Sequence, residues 1–119
     1  MSRILLAEDD DSLRGFLTRA LEKAGYEVTA CADGDAAAAS LEERFDLLLT
    51  DIVMPGLDGI EVARLAAARD PALRIMFITG FAAVALAAGA KAPQGSKVLS
   101  KPIHLREIVA EVERMMAAA

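Results

Sequence analysis

The chain has 119 residues, 55% of them hydrophobic, which suits one domain with one buried core and no linker. A net charge of −5 and a pI near 4.8 exclude the basic face that a nucleic-acid binder needs, so its partners are expected to be proteins. The single cysteine, Cys31, excludes an internal disulfide and a thiolate zinc site, and it reads as a small buried thiol at a strand end.

The uncharged run over 75–90 is shorter than the roughly 20 apolar residues of a membrane span, and Thr79 and Gly80 interrupt it. The N-terminus turns acidic at Glu8 and Asp9, too early for a secretory signal, so a cytoplasmic protein is expected.

In chain order, residues 3–7 form an apolar strand, and Leu13, Phe16, Leu17, Ala20, Leu21 and Ala24 then recur at helical spacing up to Gly25. Residues 27–31 alternate like a strand, and Asp33 caps a second helix running to about Glu43. Leu47, Leu48, Leu49 and Thr50 make an apolar strand that delivers Asp51. Asp58 with Glu61 three residues on has the spacing of a capping box, opening a third helix that runs to about Arg69 and stops at Asp70-Pro71. Residues 75–78 predict a strand, 82–88 a short alanine-rich helix, and 97–99 a last strand. Leu105, Ile108, Val109, Val112, Met115 and Met116 form one stripe of a closing helix, its methionines serving as core filler.

Five strand-then-helix units imply a doubly wound, five-stranded parallel sheet with helices on both faces, because parallel strands need cover on each side. Ligands of such sheets sit beyond the carboxyl ends of the strands. The residues at those ends are Glu8 and Asp9, Asp51, Thr79, and Lys101. Carboxylates gathered there repel by about 4 kcal/mol per pair at an effective dielectric of 20, unless a cation intervenes. Oxygen donors alone, with no histidine or thiolate near, point to Mg2+, with Asp9 and Asp51 as side-chain ligands. A carboxylate neutralised in this way can attack a phosphoryl donor, while the Thr79 hydroxyl and the Lys101 ammonium hold the transferred oxygens. An acidic run after a strand is by itself usually a helix cap, and a Lys-Pro usually a turn, so the joint placement at four strand ends carries the reading.

The segments Glu8-Asp9-Asp10, Asp51-Ile52-Val53-Met54-Pro55-Gly56-Leu57-Asp58-Gly59, Ile78-Thr79-Gly80 and Lys101-Pro102 resemble the receiver domain of bacterial two-component response regulators, over essentially the whole chain. The resemblance implies the flavodoxin-like strand order 2-1-3-4-5, Asp51 as phosphoacceptor, and Glu8 and Asp9 as the acidic magnesium pocket. It also implies the Val53 backbone carbonyl as a further metal ligand, Thr79 and Lys101 at the phosphoryl group, and a histidine kinase or histidine phosphotransferase as donor. Residues 50–55, 75–86 and 97–102 are similar, more narrowly, to single-domain receivers of cell-cycle control. That likeness implies an adaptor for the ClpXP protease, active when unphosphorylated, with the ClpX unfoldase as partner. No output domain is expected after the last helix, and His104, at that helix's start, reads as a cap or loop residue rather than a phosphoryl carrier.

Three features depart from the family pattern. Val98 stands where many receivers carry a switching aromatic, so the signal is expected to travel mainly through the backbone around Thr79 and the fourth helix. The uncharged stretch 82–88 is either buried or an apolar surface, and Phe81, Ala82, Ala83, Val84, Leu86 and Val98 are the expected partner surface. Val53 and Phe81, each two residues beyond a site residue, cannot hydrogen-bond an attacking water, which predicts slow self-dephosphorylation. Residues 117–119 form an apolar tail, either an unfoldase tag or a frayed helix end. An aspartyl phosphatase needs a second acid where Val53 stands, and a flavin module would have its phosphate repelled by the acidic run 8–11. A receiver fold that only binds partners, without phosphorylation, and a chemotaxis-type or other single-domain receiver are the remaining alternatives.

Overall fold

Short stretches of consecutive apolar residues become strands here because both faces of a central parallel strand are buried. The computed structural model describes residues 2–80, 92–101 and 104–117. Its elements are β1 (Arg3–Ala7), α1 (Asp11–Lys23), β2 (Glu27–Cys31), α2 (Gly34–Ser40), β3 (Leu47–Asp51), α3 (Gly59–Arg69), β4 (Arg74–Thr79), β5 (Lys97–Ser100) and α4 (Leu105–Ala117). The sheet is parallel throughout, in the order β2-β1-β3-β4-β5.

Alternate residues of the central strands build two cores. Leu5, Leu48, Ile75 and Phe77 pack with Ala37, Val62, Ala63 and Ala66 under α2 and α3. Ile4, Leu6, Leu47, Leu49, Met76 and Ile78 pack with Leu17 and Leu21 of α1 and Ile108 and Val112 of α4. Each fully buried leucine or isoleucine contributes about 1.5–3 kcal/mol, so the sheet is held from both sides.

The expected strands and the first, third and last helices are present. Asp10 caps α1 by accepting the Leu13 N–H, and Asp58 and Glu61 form the reciprocal capping box of α3. Cys31 is buried beside Ser40.

Two expectations are corrected. α2 ends at Ser40 rather than near Glu43. Arg3 takes the Glu43 carboxylate at 2.6 Å and the Arg44 carbonyl at 2.8 Å, and it lies over the buried Phe45 ring, so tertiary contacts draw the chain out of the helix. Phe16 is 50% exposed, with its ring beside the Arg19 guanidinium, because the Leu13–Leu17–Leu21 row already fills the inward stripe. The helix expected over 82–88, the partner-surface residues Phe81, Ala82, Ala83, Val84 and Leu86, and the tail residues Ala118 and Ala119 lie outside the described residues. Val98, the last of that surface, is half-buried and packs on the core beneath α3.

Two glycines admit close backbone approach. A Cβ on Gly34 would lie 1.7 Å from the Leu57 carbonyl oxygen, and one on Gly59 would lie 2.0 Å from the Asp51 carbonyl oxygen. Gly34→Ala is expected to lower stability by about 1–3 kcal/mol through overpacking. Gly15→Ala, whose Cβ meets only Arg19 Nη1 at 3.6 Å, should raise it by up to about 1 kcal/mol by removing a mid-helix glycine. Denaturant midpoints test the pair, and a Gly34→Ala protein as stable as the parent contradicts the close approach.

Candidate functional site

Register explains why the strand-end residues meet. Ala7 pairs with Thr50 across β1 and β3, so the next residues, Glu8 and Asp51, leave the sheet side by side. Asp51 pairs with Ile78, and Thr79 pairs with Ser100, which places Thr79 and Lys101 on the same rim. Glu8, Asp9 and Asp51 each bring a carboxylate oxygen to within 4.8 Å of the others. Glu8 and Asp51 are buried, while Asp9 is exposed.

β5 lies two strands from β3, roughly 10 Å away at normal strand spacing, so only a long side chain can close the gap. Lys101 does so. Its Nζ lies 2.9 Å from Asp51 Oδ2 and 3.1 Å from Glu8 Oε1, while its backbone N–H donates to the Thr79 carbonyl at 2.7 Å. The other Asp51 oxygen, Oδ1, accepts the Ile52 N–H at 2.7 Å, and Glu8 Oε2 accepts the Asp10 N–H at 3.1 Å. Thr79 is fully buried at the end of β4. Val53, in the loop after β3, has its side chain about half exposed. His104 precedes α4, where its carbonyl accepts the Glu107 and Ile108 N–H groups, in keeping with a cap.

Burial pushes the Glu8 carboxyl above the usual carboxylate range, with the Asp51 charge adding to this and the Asp10 N–H and Lys101 opposing it. Burial alone would lower the Lys101 pKa, but its bonds to Asp51 and Glu8 outweigh that and hold it above lysine's ordinary value. Three carboxylates against one ammonium leave a net negative rim. A set of oxygen donors only, two of them buried, fits a hard divalent cation that keeps part of its water shell. Among the described residues no side-chain nitrogen or oxygen is buried without a hydrogen bond.

Sequence reasoning anticipated the convergence of Glu8, Asp9, Asp51, Thr79 and Lys101. It did not anticipate that Lys101 pairs with Glu8 as well as Asp51, which depends on strand spacing. It also missed Arg14, whose guanidinium reaches the Glu8 carbonyl at 2.9 Å. The one available signal was a basic residue three positions after Asp11 in the first turns of α1.

The response regulator receiver domain model matches residues 4–113. The chain is 62% identical over 120 residues to the response regulator receiver protein CpdR of Brucella abortus (strain 2308), covering 100% of both chains. It is 33% identical over 116 residues to the sensor kinase CckA of the same organism; that match covers 95% of this chain but 12% of the kinase. Among solved structures, a response regulator receiver protein from Sinorhizobium medicae WSM419 superposes with a TM-score of 0.90 at 32% identity, covering 98% of this chain and 95% of that one. Strand order, the acidic rim and these likenesses agree, and the chain belongs to the response regulator receiver domain family, closely related to CpdR.

Proposed function

We propose that residues 1–119 act as a single receiver domain that accepts a phosphoryl group on Asp51 in a magnesium-dependent reaction. The observation that carries this reading is the meeting of three carboxylates within 4.8 Å beside the Lys101 ammonium. Glu8, Asp9 and Asp51, with the Val53 carbonyl, would hold the cation, which when bound supplies positive charge against the oxygens of an incoming phosphoryl group. An Asp51 carboxylate oxygen attacks the phosphorus of a phosphohistidine, the P–N bond breaks with its electron pair going to the imidazole, and an acyl phosphate remains. Lys101 then turns its ammonium from the free carboxylate to the transferred oxygens, and the Thr79 hydroxyl donates to another. The donor is a histidine kinase or a histidine phosphotransferase. The chain is no enzyme in the usual sense, since it catalyses only its own phosphoryl transfer and slow dephosphorylation.

Likeness to CpdR over the whole length supports an output by protein contact, as a cytoplasmic adaptor delivering substrates to the ClpXP protease in cell-cycle control through its ClpX unfoldase. Among the described residues no helix is long and apolar enough to cross a membrane.

Incubation with acetyl phosphate and Mg2+ should shift the chain on a phosphate-affinity gel, and Asp51→Asn should abolish the shift; a shift that persists in the variant rejects Asp51. The shifted band should outlast removal of the donor by minutes or more, because Val53 offers no polar group to an attacking water. Immobilised ClpX should retain the unphosphorylated chain more than the phosphorylated one, and equal retention in both states removes the proposed switch.

Lys101 has a pH signature in chelator. A folded-state pKa above lysine's ordinary 10.5 means that the ammonium's stabilising contribution is complete below that value and lost as pH rises through the raised one. The stability gap between the parent and Lys101→Met should therefore shrink in alkali above 10.5. A gap that stays constant into that range contradicts the ion pair.

A further inference from the structure

The loop that carries Glu8 and Asp9 is held from outside the site by Arg14. This side chain is 22% exposed, donates from Nη1 to the Glu8 carbonyl at 2.9 Å, and pairs through Nη2 with Asp11 at 2.6 Å. The Glu8 carbonyl is half of the planar peptide joining Glu8 to Asp9, so fixing its direction fixes where Asp9 begins. The rest of the loop is tied down by neighbours: the Glu8 N–H donates to the Cys31 carbonyl at 3.1 Å, the Asp10 N–H to Glu8 Oε2 at 3.1 Å, and the Leu13 N–H to Asp10 Oδ1 at 2.9 Å. Arg14 bonds the Glu8–Asp9 peptide itself, and its planar fork lets one group bind a carbonyl and a carboxylate together.

We infer that Arg14 is a positioning residue for the divalent-cation site, orienting the Glu8–Asp9 peptide by gripping the Glu8 carbonyl and Asp11 at once. This rests on the reading that Glu8, Asp9 and Asp51 hold Mg2+. Charge and geometry predict opposite signs here. A guanidinium near the site repels a cation, so if Arg14 acted by charge alone its removal would tighten Mg2+ binding. As a positioning group, it tightens binding despite its charge, and its removal weakens it.

The experiment is isothermal titration calorimetry of the unphosphorylated full chain with MgCl2 at constant ionic strength, comparing the parent, Arg14→Gln and Arg14→Lys. Arg14→Gln should weaken binding about tenfold, the lower range for loss of a group that orients metal ligands. Arg14→Lys keeps the charge without the fork and should weaken it in the same direction. At saturating Mg2+ the rate of phosphorylation by acetyl phosphate should return to within about twofold of the parent, a split that a general loss of structure would not give. Melting curves in chelator and in Mg2+ separate overall destabilisation from loss of the Mg2+-induced increment. Arg14→Gln binding as tightly as the parent or tighter, Arg14→Lys restoring the parent affinity, or a rate that stays depressed at saturating Mg2+ overturns the inference. A parent chain that binds no Mg2+ overturns the underlying reading and this inference with it.

Discussion

The Lys101 ammonium spans β4 to reach Asp51 and Glu8, and the organisation of this rim depends on that reach. Two buried carboxylates side by side at the ends of β1 and β3 would repel one another strongly if left alone. The lysine offsets part of that repulsion from two strands away. It therefore ties the edge strand β5 to the centre of the sheet through the site itself. The Thr79 carbonyl in turn accepts the Lys101 backbone N–H, so the same residue is tied to the end of β4 as well.

Around this pair the loops are built to hold direction rather than to add burial. The Ile52 N–H orients one Asp51 oxygen and leaves the other to Lys101. The Gly59 N–H returns to the Ile52 carbonyl at 2.8 Å, and the absence of a side chain at Gly59 lets α3 start against the end of β3. The capping box of Asp58 and Glu61 then fixes that start. On the other side, Asp10 both caps α1 and steadies Glu8, so helix termination and site geometry share residues.

Val98 gives the β5 side of the fold a different character from receivers with an aromatic at that place. It is half-buried against the core under α3, beside a strand whose neighbouring residue Phe77 is fully buried. A branched aliphatic side chain in such a position has no ring to swing. The Thr79–Lys101 backbone hydrogen bond joins β4 to β5 beside it, while the helix expected over 82–88, the other part of the expected signal route, lies outside the described residues.

Much of this was legible in the chain alone. Apolar runs of strand length, helical stripes such as Leu17 with Leu21 and Ile108 with Val112, and the Asp58–Glu61 cap are local patterns whose physics acts within a few residues, so the strands and most helix ends could be read directly. The order of chemistry-bearing residues at strand ends also pointed to one rim, because parallel strands all deliver their carboxyl ends to the same side. The end of α2 could not be read, since Arg3, some forty residues away, takes Glu43 and the Arg44 carbonyl from the helix. Nor could the choice of which ridge of α1 faces inward, which left Phe16 outside, or the grip of Arg14 on the Glu8 carbonyl. Those features depend on distances between elements remote in sequence, and only packing of the whole sheet sets such distances.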